Sequence, residues 1–168
     1  MSQLSLSLDS SLLVRDVAGD YRPANAGEVL QAAQRVLAGQ MRGCQILSSP
    51  QAVHDFLRVK LGALEHEVFA VVHLDAQNRV IEYVEMFRGS VSQTSVYPRE
   101  VVKEALARNS AALLLVHNHP SGSTQPSRAD EMLTQTLKSA LALVDVRVLD
   151  HLIVAGAEVL SMAERGLM

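Results

Sequence analysis

The sequence predicts an α/β (α+β) protein, a mixed β-sheet flanked by helices. Three observations carry this. The runs Val68–Leu74 and Ala111–Val116 are short and almost continuously apolar, as strands covered on both faces are. Between and around them, apolar residues recur at helical spacing. Helices and strands alternate without a strict βαβ repeat and a hairpin sits mid-chain, so the sheet has to be mixed.

Taken in order, residues 1–24 are the least determined. Leu4, Leu6 and Leu8 alternate with Ser5 and Ser7, which fits either a short edge strand or a disordered terminus. Asn25 with Glu28 three residues on reads as a helix cap; Val29, Leu30, Ala33, Val36 and Leu37 follow at helical spacing, and Gly39 is expected to end the helix. Ser49-Pro50 opens a second helix with Pro at its first position, and Val53, Phe56, Leu57 and Leu61 form its buried stripe before Gly62 stops it. His54 on that helix reads as a solvated or core-edge residue. The strand Val68–Leu74 turns at Asp75–Asn78 and returns over Arg79–Arg88, with a bulge or bend expected at Gly89 and extended chain from Ser90 to Val96.

Tyr97-Pro98-Arg99 starts the next helix, whose inward face is expected from Val101, Val102, Ala105 and Leu106. Its Arg99 and Lys103, together with Arg108, read as a solvated basic set. After the strand from Ala111, a helix from about Ser127 to Leu143 is expected to bury Met132, Leu133, Leu137, Ala140 and Leu141. A strand from Val146 to Val154, a turn at Ala155–Ala157 and a short element around Val159–Ala163 complete the chain. The organisation expected is an N-terminal extension with one helix (residues 1–44) followed by one domain (45–168).

Composition bounds the function. The chain has 168 residues, 48% hydrophobic and 20% charged, which suits one globular domain and excludes a disordered chain. Net charge is −3 and the isoelectric point is near 6.0. That excludes a strongly basic DNA-coating protein, though not a local basic patch. Cys44 is the only cysteine, so there is no disulfide framework and no Cys-rich zinc site, which removes the zinc deaminases with their Pro-Cys-x-x-Cys. No apolar run approaches the roughly 18 residues of a membrane span, and the N-terminal leucines lack a basic segment before them. A cytoplasmic protein is expected.

The chemistry concentrates between His117 and Asp130. In a strand, residues two apart face the same way, so His117 and His119 share a face while Asn118 looks opposite. Pro120 ends the strand, a Ser/Gly/Thr/Pro loop follows, and Ser127 and Asp130 stand three apart in the first turn of a helix. Two imidazoles and a carboxylate converging there make a zinc site with one position left open for water. Ser127 offers a hydroxyl to an oxyanion, and a separate carboxylate has to take the proton of water. The plainer reading is a Ser-x-x-Asp helix cap beside two histidines that merely end a strand. The joint spacing is much rarer than either half.

Four glutamates precede the histidines. Glu82 and Glu85 fall three apart on one strand, hence on opposite faces, and read as solvated. Glu67 directly precedes Val68, at the rim of a central strand where a carboxylate reaches a cleft without entering the core. It is the expected general base, ahead of Glu65. Asp150 and His151 point opposite ways in their strand; the favoured reading is local hydrogen bonding in a buried sheet, the other being orientation of a ligand imidazole. His66 and His73 have no partner at metal spacing. The letters His-Asn-His are not an HNH nuclease, whose residues spread over a hairpin and helix.

His117-Asn118-His119-Pro120-Ser121-Gly122 through Ser127-Arg128-Ala129-Asp130 resembles the JAMM motif of MPN/JAB-domain metalloproteases. Val96–Val102 and Val148–Leu152 resemble the bacterial RadC branch of that family, and the likeness covers about residues 45 to 166. It implies an α-β-α sandwich, zinc on His117, His119 and Asp130, and a glutamate just before an apolar strand, a pattern that Glu67 matches. RadC-like proteins carry a helix-hairpin-helix module ahead of this domain; no such glycine-rich hairpin is visible here.

Three functions follow. The first is a zinc-dependent hydrolase of peptide or isopeptide bonds, acting on a peptide or protein tail. The second is a DNA-associated accessory protein, since RadC-like proteins are traditionally labelled DNA repair; the acidic balance speaks against it. The third is a non-enzymatic interaction domain, against which the intact motif weighs. No membrane partner is expected.

Overall fold

Asn25 begins the first long helix as its spacing to Glu28 requires. Its side chain accepts from the Glu28 N–H, and the Glu28 carboxylate accepts from the Asn25 N–H, a reciprocal capping box. This is seen in a computed structural model that describes residues 12–46, 50–89 and 95–168. Leu4, Leu6 and Leu8 lie outside the described residues. Just ahead of Asn25, β1 (Leu13–Arg15) and β2 (Tyr21–Pro23) pair antiparallel as a small hairpin that periodicity did not reveal. The helix α1 runs Ala26–Met41, past Gly39, which sits inside it with open space around it. The stop comes at Arg42, whose ψ of 124° is extended, and Gly43 follows with a φ of +76° that carries the turn on.

Helix α2 (Pro50–Leu61) buries the four residues its spacing predicts, Val53, Phe56, Leu57 and Leu61. Gly62 is needed next: a Cβ there would collide with the carbonyl oxygens of Gly156 and Arg58. The strands β3 (Val68–Leu74) and β4 (Val80–Arg88) form the mid-chain hairpin. Its irregularities fall between Phe69 and Ala70 and between His73 and Leu74, whereas Gly89 keeps a bond from its N–H to the Glu67 carbonyl. Most of the stretch expected to run extended after Gly89, residues 90–94, lies outside the described residues.

Helix α3 (Pro98–Ala107) turns Val101 and Ala105 inward, while Leu106 is 51% exposed. Strand β5 (Ala112–Asn118) is buried throughout. Helix α4 (Arg128–Ala142) buries Thr134, Leu137 and Leu141, and leaves Met132 65% exposed. Both expectations failed for one reason: each apolar stripe is narrower than composition suggested, about one residue per turn. Strands β6 (Arg147–Ala155) and β7 (Glu158–Ser161) follow.

The five strands lie in the order β4-β3-β5-β6-β7, with β5 and β6 parallel and every other pair antiparallel. The sheet is therefore mixed and flanked by helices, as an α/β sandwich. On one face Ala70, Val72, Leu114 and Val116 pack with Phe56, Leu57 and Leu61 of α2 and Met41 of α1. On the other, Phe69, Val71, Leu113 and Leu115 pack with Val101 and Ala105 of α3 and Leu137 and Leu141 of α4. Period-two alternation sorts each strand between two cores. Lys103 of α3 and Arg108 at its end are drawn into ion pairs, Lys103 with Glu100 (3.4 Å) and Arg108 with Glu82 (2.8 Å) and Glu104. No helix among the described residues is long and apolar enough to cross a membrane.

One buried polar group makes the fold sensitive to acid. His73 on β3 is fully buried; its Nδ1 lies 2.8 Å from Ser110 Oγ, and its Nε2 has no partner. Burial pushes its pKa down to about 4. Above about pH 6.5 the ring is neutral in both folded and unfolded chains. Between there and pH 4 the unfolded chain takes up a proton that the folded chain cannot, so stability falls as pH falls. Urea unfolding from pH 7 to pH 4 is expected to show His73→Gln losing less stability than the parent, by about 3 kcal/mol at pH 4. Parallel pH curves for the two chains would refute this.

Candidate metal centre

The antiparallel register sets Phe69 opposite His117, and Glu67 and His119 each lie two residues beyond that pair, just past the ends of their strands. Alternation then gives Glu67, Phe69, His117 and His119 one face. The same face receives the N-terminus of α4, because β5, the following loop and α4 form a parallel crossover to β6. The result is a cleft of about 570 Å³ whose wall includes Glu67, His117, His119, Ser127 and Asp130. All five residues that the sequence pattern singled out border one space. Glu65 is not part of its wall.

Ligand-type atoms of His117, His119 and Asp130 lie within 4.8 Å of one another. The His117 and His119 Nε2 atoms are 2.9 Å apart; Asp130 Oδ1 is 3.3 Å from the first and Oδ2 3.6 Å from the second. His119 Nδ1 lies 2.7 Å from the Ser123 carbonyl, which only accepts, so Nδ1 carries a proton and Nε2 is the nitrogen left to face the cleft. Two imidazole nitrogens and a carboxylate packed this closely suit a shared cation better than each other. The donor set fits a metal ion.

The electrostatics agree. Burial pushes His117 down to about 4 despite the nearby Asp130 charge, so its ring is neutral at neutral pH, as a ligand has to be. His119 is raised by its contact with Asp130. Burial alone would raise Asp130, but His119, His117 and Ser127 outweigh it and hold the carboxyl well below the usual range. Its place in the first turn of α4 adds the helix dipole to that effect.

Ser127 is the N-cap of α4. Its Oγ accepts from the Asp130 N–H (3.2 Å) and donates to Asp130 Oδ2 (2.6 Å), while the Ser127 N–H reaches the same Oδ2 (2.7 Å). The Ser-x-x-Asp spacing is thus a helix cap, and the same cap fixes the carboxylate at the cleft. The two readings of that spacing describe one arrangement.

Asn118 faces away, as alternation requires, and its amide clamps the rim. Oδ1 accepts from the Val68 N–H (2.7 Å) and Nδ2 donates to the His66 carbonyl (3.0 Å), holding the two residues that flank Glu67. His66 contributes only its backbone to this clamp, and His73 is far along β3. Asp150 closes local bonds, accepting from the N–H groups of His151 and Ala163 and from Ser161 Oγ. His151 does otherwise: its Nε2 lies 2.8 Å from His117 Nδ1 and its Nδ1 2.7 Å from Thr134 Oγ1. The favoured reading held for Asp150 and not for His151, because only the latter's side chain faces α4. Thr134 was missed outright. Its signal was a polar residue at the helical spacing of Asp130, Leu137 and Leu141, on a stripe that has to be buried.

A family model for the RadC-like JAB domain matches residues 47–167. A UPF0758 protein from Leptothrix cholodnii is 60% identical, over 87% of this chain and 67% of its own length. One from Verminephrobacter eiseniae is 59% identical, over 89% of this chain and 63% of its own. Another, from Methylibium petroleiphilum, is 54% identical over 95% and 75%. This chain thus spans about two thirds of the first two relatives' length.

The Asn118 clamp generates a prediction. Asn118→Ala leaves a buried N–H and a carbonyl unmatched at the cleft rim, and is expected to cost about 3 kcal/mol by urea unfolding. A loss under about 1 kcal/mol would show that water replaces the amide at no penalty.

Proposed function

This chain belongs to the RadC-like JAB domain family, and from that premise we propose that it is a zinc-dependent hydrolase of peptide or isopeptide bonds. The observation that carries the proposal is the convergence of His117, His119 and Asp130 within 4.8 Å at the wall of an open cleft. Two imidazoles and one carboxylate suit zinc, and would leave it a net positive centre. Bound there, zinc would supply a Lewis acid that polarises a carbonyl and lowers the pKa of water to about 7.

The chain's own residues divide the remaining work. Glu67, which lines the cleft with the histidines, would take a proton from the attacking water and hand it to the leaving amine. Ser127 Oγ, at the cleft wall, would turn its proton from Asp130 to the carbonyl oxygen as negative charge builds there. Phe69, Val96 and Leu133 add an apolar wall that would exclude water and seat a side chain of a peptide or protein-tail substrate. A scaffold role gives three convergent ligand groups nothing to do. A DNA-associated role finds little support in a net charge of −3.

Purified protein is expected to hold one zinc per chain by elemental analysis. His117→Ala should lose it while staying folded, because the hydrophobic core is complete without the site; unchanged zinc in that variant would overturn the ligand assignment.

Hydrolysis of a panel of peptide and isopeptide substrates tests the roles. Glu67→Gln is expected to keep zinc and lose nearly all turnover, with Glu65→Gln unaffected. Ser127→Ala should keep zinc and fall about a hundredfold, some 3 kcal/mol in the barrier. Loss of zinc from Ser127→Ala would reduce the serine to a cap.

A further inference from the structure

We propose that His151 and Thr134 are positioning residues that set which nitrogen of His117 faces the metal site. The inference rests on the reading of that site as a metal centre. No spacing argument reaches it, since the four residues involved come from β5, α4 and β6.

The direction of each hydrogen bond follows from the one before. Thr134 Oγ1 lies 2.6 Å from the main-chain carbonyl of Asp130, one helical turn back, and a carbonyl only accepts, so the single hydroxyl proton goes there. The hydroxyl is then left to accept, and its partner at 2.7 Å is His151 Nδ1, which has to carry its proton. His151 is fully buried, and the carboxylate beside it in sequence, Asp150, bonds to Ser161 and two backbone N–H groups instead. Buried without a carboxylate partner, the ring stays neutral, and protonation on Nδ1 leaves Nε2 bare. That bare nitrogen is 2.8 Å from His117 Nδ1, which therefore donates. His117 Nε2 is left with its lone pair aimed at His119 and Asp130.

The run of bonds returns to the residue it started from but stops one link short, because His117 Nε2 and the Asp130 carboxylate, 3.3 Å apart, both offer lone pairs and only a cation would join them. It starts at the Asp130 carbonyl, passes through Thr134, His151 and His117, and ends facing the Asp130 carboxylate. Two candidate ligands on different elements are thereby held in one frame by a residue on a third. Ring packing supports the same placement: the His151 ring lies tilted against His117 with centroids 4.8 Å apart, and makes an edge contact with Phe69 at 6.0 Å. Without His151, the His117 Nδ1–H would be a buried donor with no acceptor. The ring could then move its proton to Nε2, where it blocks a metal. Metal-binding imidazoles generally need a partner on the far nitrogen, and losing it weakens binding ten- to a hundredfold.

The test uses isosteric pairs. Zinc affinity is measured by chelator competition for the parent, Thr134→Val, Thr134→Ser and His151→Leu. Thr134→Val and His151→Leu are expected to bind zinc about ten- to a hundredfold more weakly. Thr134→Ser, which keeps the hydroxyl, should bind like the parent. Long-range ¹H–¹⁵N NMR of the metal-free parent is expected to show both His151 and His117 protonated on Nδ1. Should His151→Leu fail to fold, the threonine pair and the NMR decide alone. Finding the His117 proton on Nε2 would overturn the inference, as would Thr134→Val binding zinc as tightly as the parent. A parent that takes up no metal would sink the metal-centre reading itself, and this role with it.

Discussion

The hydrogen-bonded register of β3 against β5, with Phe69 opposite His117, sets which residues of the two strands share the cleft. Side chains alternate along a strand, so a slip of one residue would carry Glu67 to the other face of the sheet, away from the histidines. The cores guard against that slip. Ala70, Val72, Leu114 and Val116 fill one side while Phe69, Val71, Leu113 and Leu115 fill the other, with different helices waiting on each. A shifted strand would mispack on both faces at once. At the open end, where apolar packing gives out, Asn118 takes over by bonding the backbone on either side of Glu67.

The second constraint is the helix start that delivers Asp130. An aspartate in the first turn can satisfy an orphan N–H of its own helix and still present an oxygen outward. Here Oδ2 takes the Ser127 N–H and hydroxyl, while Oδ1 faces His117 at 3.3 Å. The capping box holds the carboxylate in one rotamer before any cation arrives. It also occupies the serine hydroxyl, so the same bond that orders the site has to be surrendered if Ser127 is to serve a substrate oxygen. Capping and catalysis compete for one proton.

What could be read from the sequence, and what could not, divides along a physical line. Strand alternation and helical spacing act over a few residues. Hence α2 and β3 matched their expected bounds, and His117, His119, Ser127 and Asp130 could be singled out together. The errors are of two kinds. Gly39 has the residue type of a helix C-cap, yet the helix runs past it to Met41, whose burial outweighs a cost of about 1 kcal/mol for glycine inside a helix. Met132 and Leu106 were placed inward because they are apolar, though each lies off the stripe its helix buries. Thr134 and the orientation of His151 depend on how α4 crosses β6, which no local pattern encodes.

The position of the site at the end of the central strand, β5, also explains how so polar a group of residues coexists with two apolar cores. His117 is 2% exposed and His151 fully buried, so their ring nitrogens have to be satisfied by protein or by an ion. Three of the four nitrogens on those rings find partners in one another and in Thr134. The fourth, His117 Nε2, opens on the cleft beside His119 Nε2 and the Asp130 carboxylate. Burial keeps His117 neutral while its neighbours keep Asp130 ionised, so the pocket presents a bare imidazole nitrogen beside a carboxylate, hard and borderline donors together. Two cores assemble the sheet without it, yet the fold leaves one lone pair pointed at the place where a divalent cation would best repay the burial.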